Sequence, residues 1–156
     1  MVPAFLASHW LSWLSGGGVA LIGWFWLHII TKPLLEFWTD RRRAIEVVQR
    51  YGGGGEYASE ERQRQALDAI AEVASKFSFY SRGGPMIVHT YCWFRRYDLA
   101  FAWLGLNGLR SKIATSSAVP ADRCDCIRLC LGATGYMSAE RKAEIRNMMS
   151  KAEKSD

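Results

Sequence analysis

Hydrophobic and polar positions recur with a helical period along most of this chain, and one long apolar run comes first. Residues 11–30 read LSWLSGGGVALIGWFWLHII and hold no Asp, Glu, Lys or Arg. Lys32 is the first such residue in the chain. At about 1.5 Å per residue, a helix of this length covers roughly 30 Å, the thickness of the bilayer hydrocarbon core. The pattern predicts a single transmembrane helix. Thr31 offers a cap for a renewed helical start, with Pro33 tolerated in its first turn. Leu34, Phe37, Trp38, Arg41, Ile45 and Val48 then follow at helical spacing, which predicts a juxtamembrane amphipathic helix over 32–51. Gly52 to Gly55 end it and open a glycine-rich hinge over 52–58.

The remainder, residues 59–150, reads as one small helical domain. Ser59 is placed as a cap before Glu60 and Glu61. Leu67, Ile70, Ala74 and Phe77 continue a helix to about 82, where Gly83-Gly84-Pro85 stops it. Pro85 opens a second helix through Val88 and Tyr91. Asp98 caps a third, carrying Leu99, Ala102 and Leu106 and closed by Asn107-Gly108. Pro120 starts a fourth that stops at Gly132, and Ser138 caps a last one with Ile145 and Met149. Residues 151–156 read as a solvated, disordered tail. No strand pattern stands out. The expected fold is all-α: one membrane segment over 1–31, the juxtamembrane helix, and a bundle of four or five short helices.

Net charge is +5, and none of the Lys or Arg precedes the apolar run. Lys32, Arg41, Arg42, Arg43 and Arg50 follow it closely. The positive-inside rule then puts the N-terminus outside and the C-terminal domain in the cytoplasm. Lys32 and the Arg41-Arg42-Arg43 cluster are the candidate contacts to anionic lipid headgroups. Trp10 and Trp13 mark one interface, and Trp24, Trp26 and Trp38 the other. His28 falls near the inner interface and reads as a side chain snorkelling to water. A cleaved signal peptide fits poorly, because Thr31-Lys32-Pro33 is no small-x-small site. No long basic block or fold signature points to nucleic acid.

Ser12, Gly16, Ala20 and Gly23 share one face of the apolar helix. Small residues at this spacing let two backbones approach closely, which is how helices associate in lipid. The expected partners are therefore membrane lipid and another membrane subunit or a second copy.

Chemistry is sparse. Cys124, Cys126 and Cys130 lie on one predicted helix, and only Cys126 and Cys130 share a face. With His89 and Cys92 they form the one candidate metal set, yet the spacing lacks the paired C-x2-4-C turns that zinc sites use. Small buried thiols are the expected reading. A catalytic thiol would need His89, the one histidine of the soluble part. Gly52 to Gly55 lack the Lys and preceding strand of a phosphate loop. No carboxylate pair or nucleophile elbow is present. No cofactor is expected.

Two stretches carry a resemblance. One is Ile29-Ile30-Thr31-Lys32-Pro33-Leu34-Leu35-Glu36-Phe37-Trp38, followed by Arg41-Arg42-Arg43 and Tyr51. The other is Ala102-Trp103-Leu104-Gly105-Leu106-Asn107-Gly108-Leu109 after Tyr97-Asp98. Both resemble segments of small, uncharacterised single-pass membrane proteins of bacteria. That resemblance implies an inner-membrane location and carries over no functional residue. The expected function is a non-enzymatic accessory or scaffold subunit. The alternative is a membrane-bound metal- or redox-dependent sensor or enzyme using the cysteines.

Overall fold

The computed structural model describes residues 17–52, 60–115, 121–135 and 137–153. Among these residues the chain is all helical and without strand. The hinge residues 53–59, with the Ser59 cap, and the first part of the apolar run lie outside them.

Helix α1, Gly17–Tyr51, is one continuous rod of 35 residues. The renewed start at Thr31 is not there. Thr31 is helical (φ −72°, ψ −48°) and its side chain caps nothing. A π-helical stretch, Trp26–Thr31, takes its place, with the Lys32 N–H donating to the Leu27 carbonyl. The cause is Pro33. Its ring lacks an N–H and would crowd the carbonyl four residues back, and widening the preceding turn relieves this without breaking the helix.

The second half of α1 belongs to the bundle. Phe37, Asp40, Ala44, Val47 and Val48 are buried at a 3–4 residue spacing. Helix α2, Glu60–Gly83, runs antiparallel to it and buries Ala66, Ile70, Val73, Ala74, Phe77 and Tyr80. Arg43 meets Glu72 at 2.6 Å, Asp40 meets Lys76 at 2.5 Å, and the Phe37 ring stands edge-on to Tyr80, centroids 5.3 Å apart.

Helix α3, Met86–Arg95, is short and ends on Arg96 in the left-handed region (φ 56°). Asp98 caps α4, Leu99–Ala114, by accepting from the Phe101 N–H at 2.9 Å. The expected stop at Asn107-Gly108 does not occur, because Leu109 and Ile113 are fully buried and hold the helix against α2. The Asn107 amide donates back to the Trp103 carbonyl within the helix. Gln63 of α2 donates to the Ile113 carbonyl at 2.6 Å and fixes the antiparallel α2–α4 pair.

Helix α5, Ala121–Cys130, crosses α4 where Gly105 has no side chain. A Cβ there would come within 2.5 Å of Ile127 Cγ1. Gly132 (φ +70°) then turns the chain. Two carbonyls at the end of α5 are satisfied by distant groups: Cys130 accepts from the Asp98 N–H and Leu131 from Arg41 Nε. Helix α6, Ala139–Glu153, buries Ile145 and is tied to α5 through Arg141, which pairs with Asp122, Asp125 and Glu144. It runs past residue 151, where the sequence places the start of a tail.

Candidate membrane-anchoring surface

Among the described residues, no side chain in the first half of α1 is buried. Its large side chains run from Val19 at 71% exposed to Ile29 at 45%, whereas Phe37, two turns on, is fully buried. Each such side chain forfeits roughly 1.5–3 kcal/mol when left in water. Half a dozen of them cost roughly 10 kcal/mol, as much as the whole stability of an ordinary domain, about 5–15 kcal/mol. Only an apolar solvent or partner relieves that. Among the described residues α1 is the one helix long and apolar enough to cross a membrane.

Of the small-residue face, Ala20 and Gly23 are exposed, and space for a Cβ at Gly17, Gly18 and Gly23 is open. Ser12 and Gly16 lie outside the described residues. His28 stacks on Trp24, centroids 4.9 Å apart, and its Nδ1 lies 3.2 Å from the Trp24 carbonyl oxygen.

The fold divides the expected headgroup set. Lys32 is exposed, and Arg42 is exposed beside Glu46 at 3.3 Å. Arg43 is turned onto Glu72 of α2. Arg41 faces inward: its guanidinium lies over the Tyr97 ring, 5.1 Å from the centroid, and its Nε donates to Leu131 at 2.5 Å. Arg41 is half-buried, and both of these contacts lie within the bundle. Tyr97 and the uncapped end of α5 recruit its planar fork into the bundle, where a lysine could not make both contacts.

The cysteines are unbridged. Cys92 and Cys130 are buried, and desolvation pushes both thiols up to about 12, the effect on Cys92 holding in spite of nearby Arg41. Cys124 donates to the Gly52 carbonyl at 3.4 Å, and its thiol and that of half-buried Cys126 are raised by burial too. Such groups are protonated near neutral pH, the opposite of an activated thiolate. His89 is exposed on α3 while Cys92 points to the core. Among the described residues no three His, Cys, Asp or Glu side chains converge as metal ligands. A cleft of about 780 Å³ lies along His89, Trp93, Phe94, Arg96 and Asp98. His89 and Cys92, the two candidates from the sequence, both line it, together with Ser81 and Tyr97.

Sequence reasoning missed the polar lock between α1 and α2. Asp40 is buried, accepts from Tyr80 at 2.8 Å and pairs with Lys76. Burial, then the hydrogen bond and charge of Asp40, raise the Tyr80 pKa well above 10. A signal existed: Asp40 sits between Phe37 and Ala44 on the apolar stripe, where a lone carboxylate needs partners.

No known family model, curated protein or solved structure matches this chain.

Proposed function

We propose that this protein is a non-enzymatic, single-pass membrane subunit that holds a small helical bundle against the membrane. The observation that carries this reading is the change in α1 from exposed apolar surface before Ile30 to buried core from Phe37 on. One rigid helix thus joins two solvents, and the bundle has no slack in which to wander from the boundary. The basic flank at Lys32, Arg42 and Arg50 argues for a cytoplasmic bundle and an outside N-terminus in the inner membrane. Small residues on the exposed half, Ala20 and Gly23 with Ser12 and Gly16 before them, argue for a second membrane helix as partner, from another subunit or another copy. The buried, protonated thiols give the metal or redox alternative no support.

Membrane retention in cells tests the anchor. The wild-type chain should stay with the membrane fraction through high-salt and urea washes. Leu21→Arg with Ile22→Arg should release it, since an Arg near the bilayer centre costs about 2.5–3.5 kcal/mol on insertion scales. Wild-type protein recovered in the wash would overturn the proposal.

A further inference from the structure

The three most exposed large hydrophobic side chains among the described residues are not on α1. They are Met86 at 85%, Trp93 at 80% and Phe94 at 77%, all on α3. Positions 86, 90, 93 and 94 share one face of this short helix, opposite buried Val88 and Cys92. Three such side chains on one helix face are more than scattered surface apolarity.

The chain leading into and out of this face is basic, with Asp98 beside Trp93 and Phe94 and Glu36 near Tyr80 as the acids around it. From Val73 to Tyr97 the chain carries Lys76, Arg82, Arg95 and Arg96 and no Asp or Glu. Lys76 is taken by Asp40, and Arg82 lies over the Trp103 ring with no ion pair among the described residues. Asp98, the next acid along the chain, is occupied in capping α4. Aromatic side chains beside arginine suit a headgroup layer, with rings at the acyl boundary and guanidinium among phosphates.

The start of this face, at Met86, sits at the height of that boundary. Arg43 with Glu72, Asp40 with Lys76 and Phe37 with Tyr80 define the α1–α2 register. One further turn sets the end of α2 level with residues 33–34, where the exposed half of α1 gives way to the bundle. Helix α3 starts there and packs on α1 through Tyr91, 5.9 Å from Trp38 and 6.2 Å from Phe37 between centroids. Trp38 and Leu35, close to it, are themselves exposed.

We propose that α3 rests its Met86–Trp93–Phe94 face on an anionic lipid surface, the leaflet from which α1 emerges. This builds on the reading of α1 as the anchor. It gives the bundle a second lipid contact in place of the inward-turned Arg41 and the paired Arg43.

The full chain, reconstituted in vesicles of phosphatidylcholine with phosphatidylglycerol, tests it by photo-crosslinking. Benzoylphenylalanine is placed singly at Phe94, at Trp26 and at Arg110, an exposed site toward the opposite end of α4. Lipid adducts are expected at Trp26 and Phe94 and none at Arg110. In phosphatidylcholine alone, the Phe94 adducts should fall several-fold while those at Trp26 hold. Trp93→Ser with Met86→Ser, exposed positions that leave the fold intact, should abolish the Phe94 adducts. Lipid labelling at Trp26 with none at Phe94, or Phe94 adducts to protein alone in native membranes, would overturn this proposal and leave the anchor standing. Equal Phe94 labelling in both vesicles would overturn its anionic component. Absence of lipid labelling at Trp26 would overturn both.

Discussion

Tyr80 donates its phenolic proton to Asp40 across a 2.8 Å hydrogen bond, and Asp40 is the one charged side chain buried among the described residues. The pair stands where the exposed apolar half of α1 meets the bundle, one turn inside fully buried Phe37. It makes the second half of α1 part of the bundle's core, so the exposed apolar half is joined to the bundle by one continuous helix. Tyr80→Phe should cost about 1.5–3 kcal/mol, the worth of a hydrogen bond to a charged group. Asp40→Ala should cost more, because it strands both Lys76 and Tyr80. Denaturant titration of the full chain in mild detergent reads this; a Tyr80→Phe midpoint equal to wild type would refute the lock.

Alkali should loosen the bundle. Tyr80 is raised above its ordinary 10 and Cys92 and Cys130 are raised from 9 to about 12, so the folded state holds these protons longer than the unfolded one. The stability they contribute is complete below pH 9 and declines as pH rises toward 12. Helical signal and unfolding midpoint followed from neutral pH to 12 should fall in that window. Cys130→Ala should weaken the dependence, and a flat profile would count against the burial of these groups.

The α4–α5 crossing depends on a missing methyl. Gly105→Ala should destabilise by about 1–3 kcal/mol through contact with Ile127. Ile127→Ala costs stability alone by opening a cavity, roughly 2–5 kcal/mol. The double variant should be more stable than the sum of the two by at least about 0.5 kcal/mol, a coupling that strictly additive losses would disprove.

Helix packing in the membrane is read by crosslinking. Gly16→Leu with Ala20→Leu should reduce crosslinked species formed through α1, because the added side chains hold neighbouring backbones apart. The same changes on a helix meeting only lipid would leave the pattern as it was.

Much of this fold is legible in the sequence. The apolar run, the Gly83-Gly84-Pro85 stop, the Asp98 cap and the Gly132 turn all act locally, through propensity and backbone permissiveness. Most of what escaped depends on distant residues. Asn107-Gly108 carries a local stop signal that the burial of Leu109 and Ile113 overrides. Thr31 carries a local start signal, yet the π stretch before Pro33 lets the helix run on. Arg41 looks like its neighbours Arg42 and Arg43 until Leu131, ninety positions later, supplies a carbonyl. The exposed face of α3 has the same difficulty, since the apolar spacing of Met86, Trp93 and Phe94 is that of a core stripe. Only the packed bundle reveals which side of α3 faces inward.

The most direct test of the anchor is the behaviour of the full chain made by cell-free synthesis without detergent. With lipid vesicles present, it should float with them on a density gradient and resist urea; without vesicles, it should pellet. A chain that remains a dissolved monomer in the absence of lipid, with Trp24 and Trp26 shielded inside its own bundle, would contradict the account.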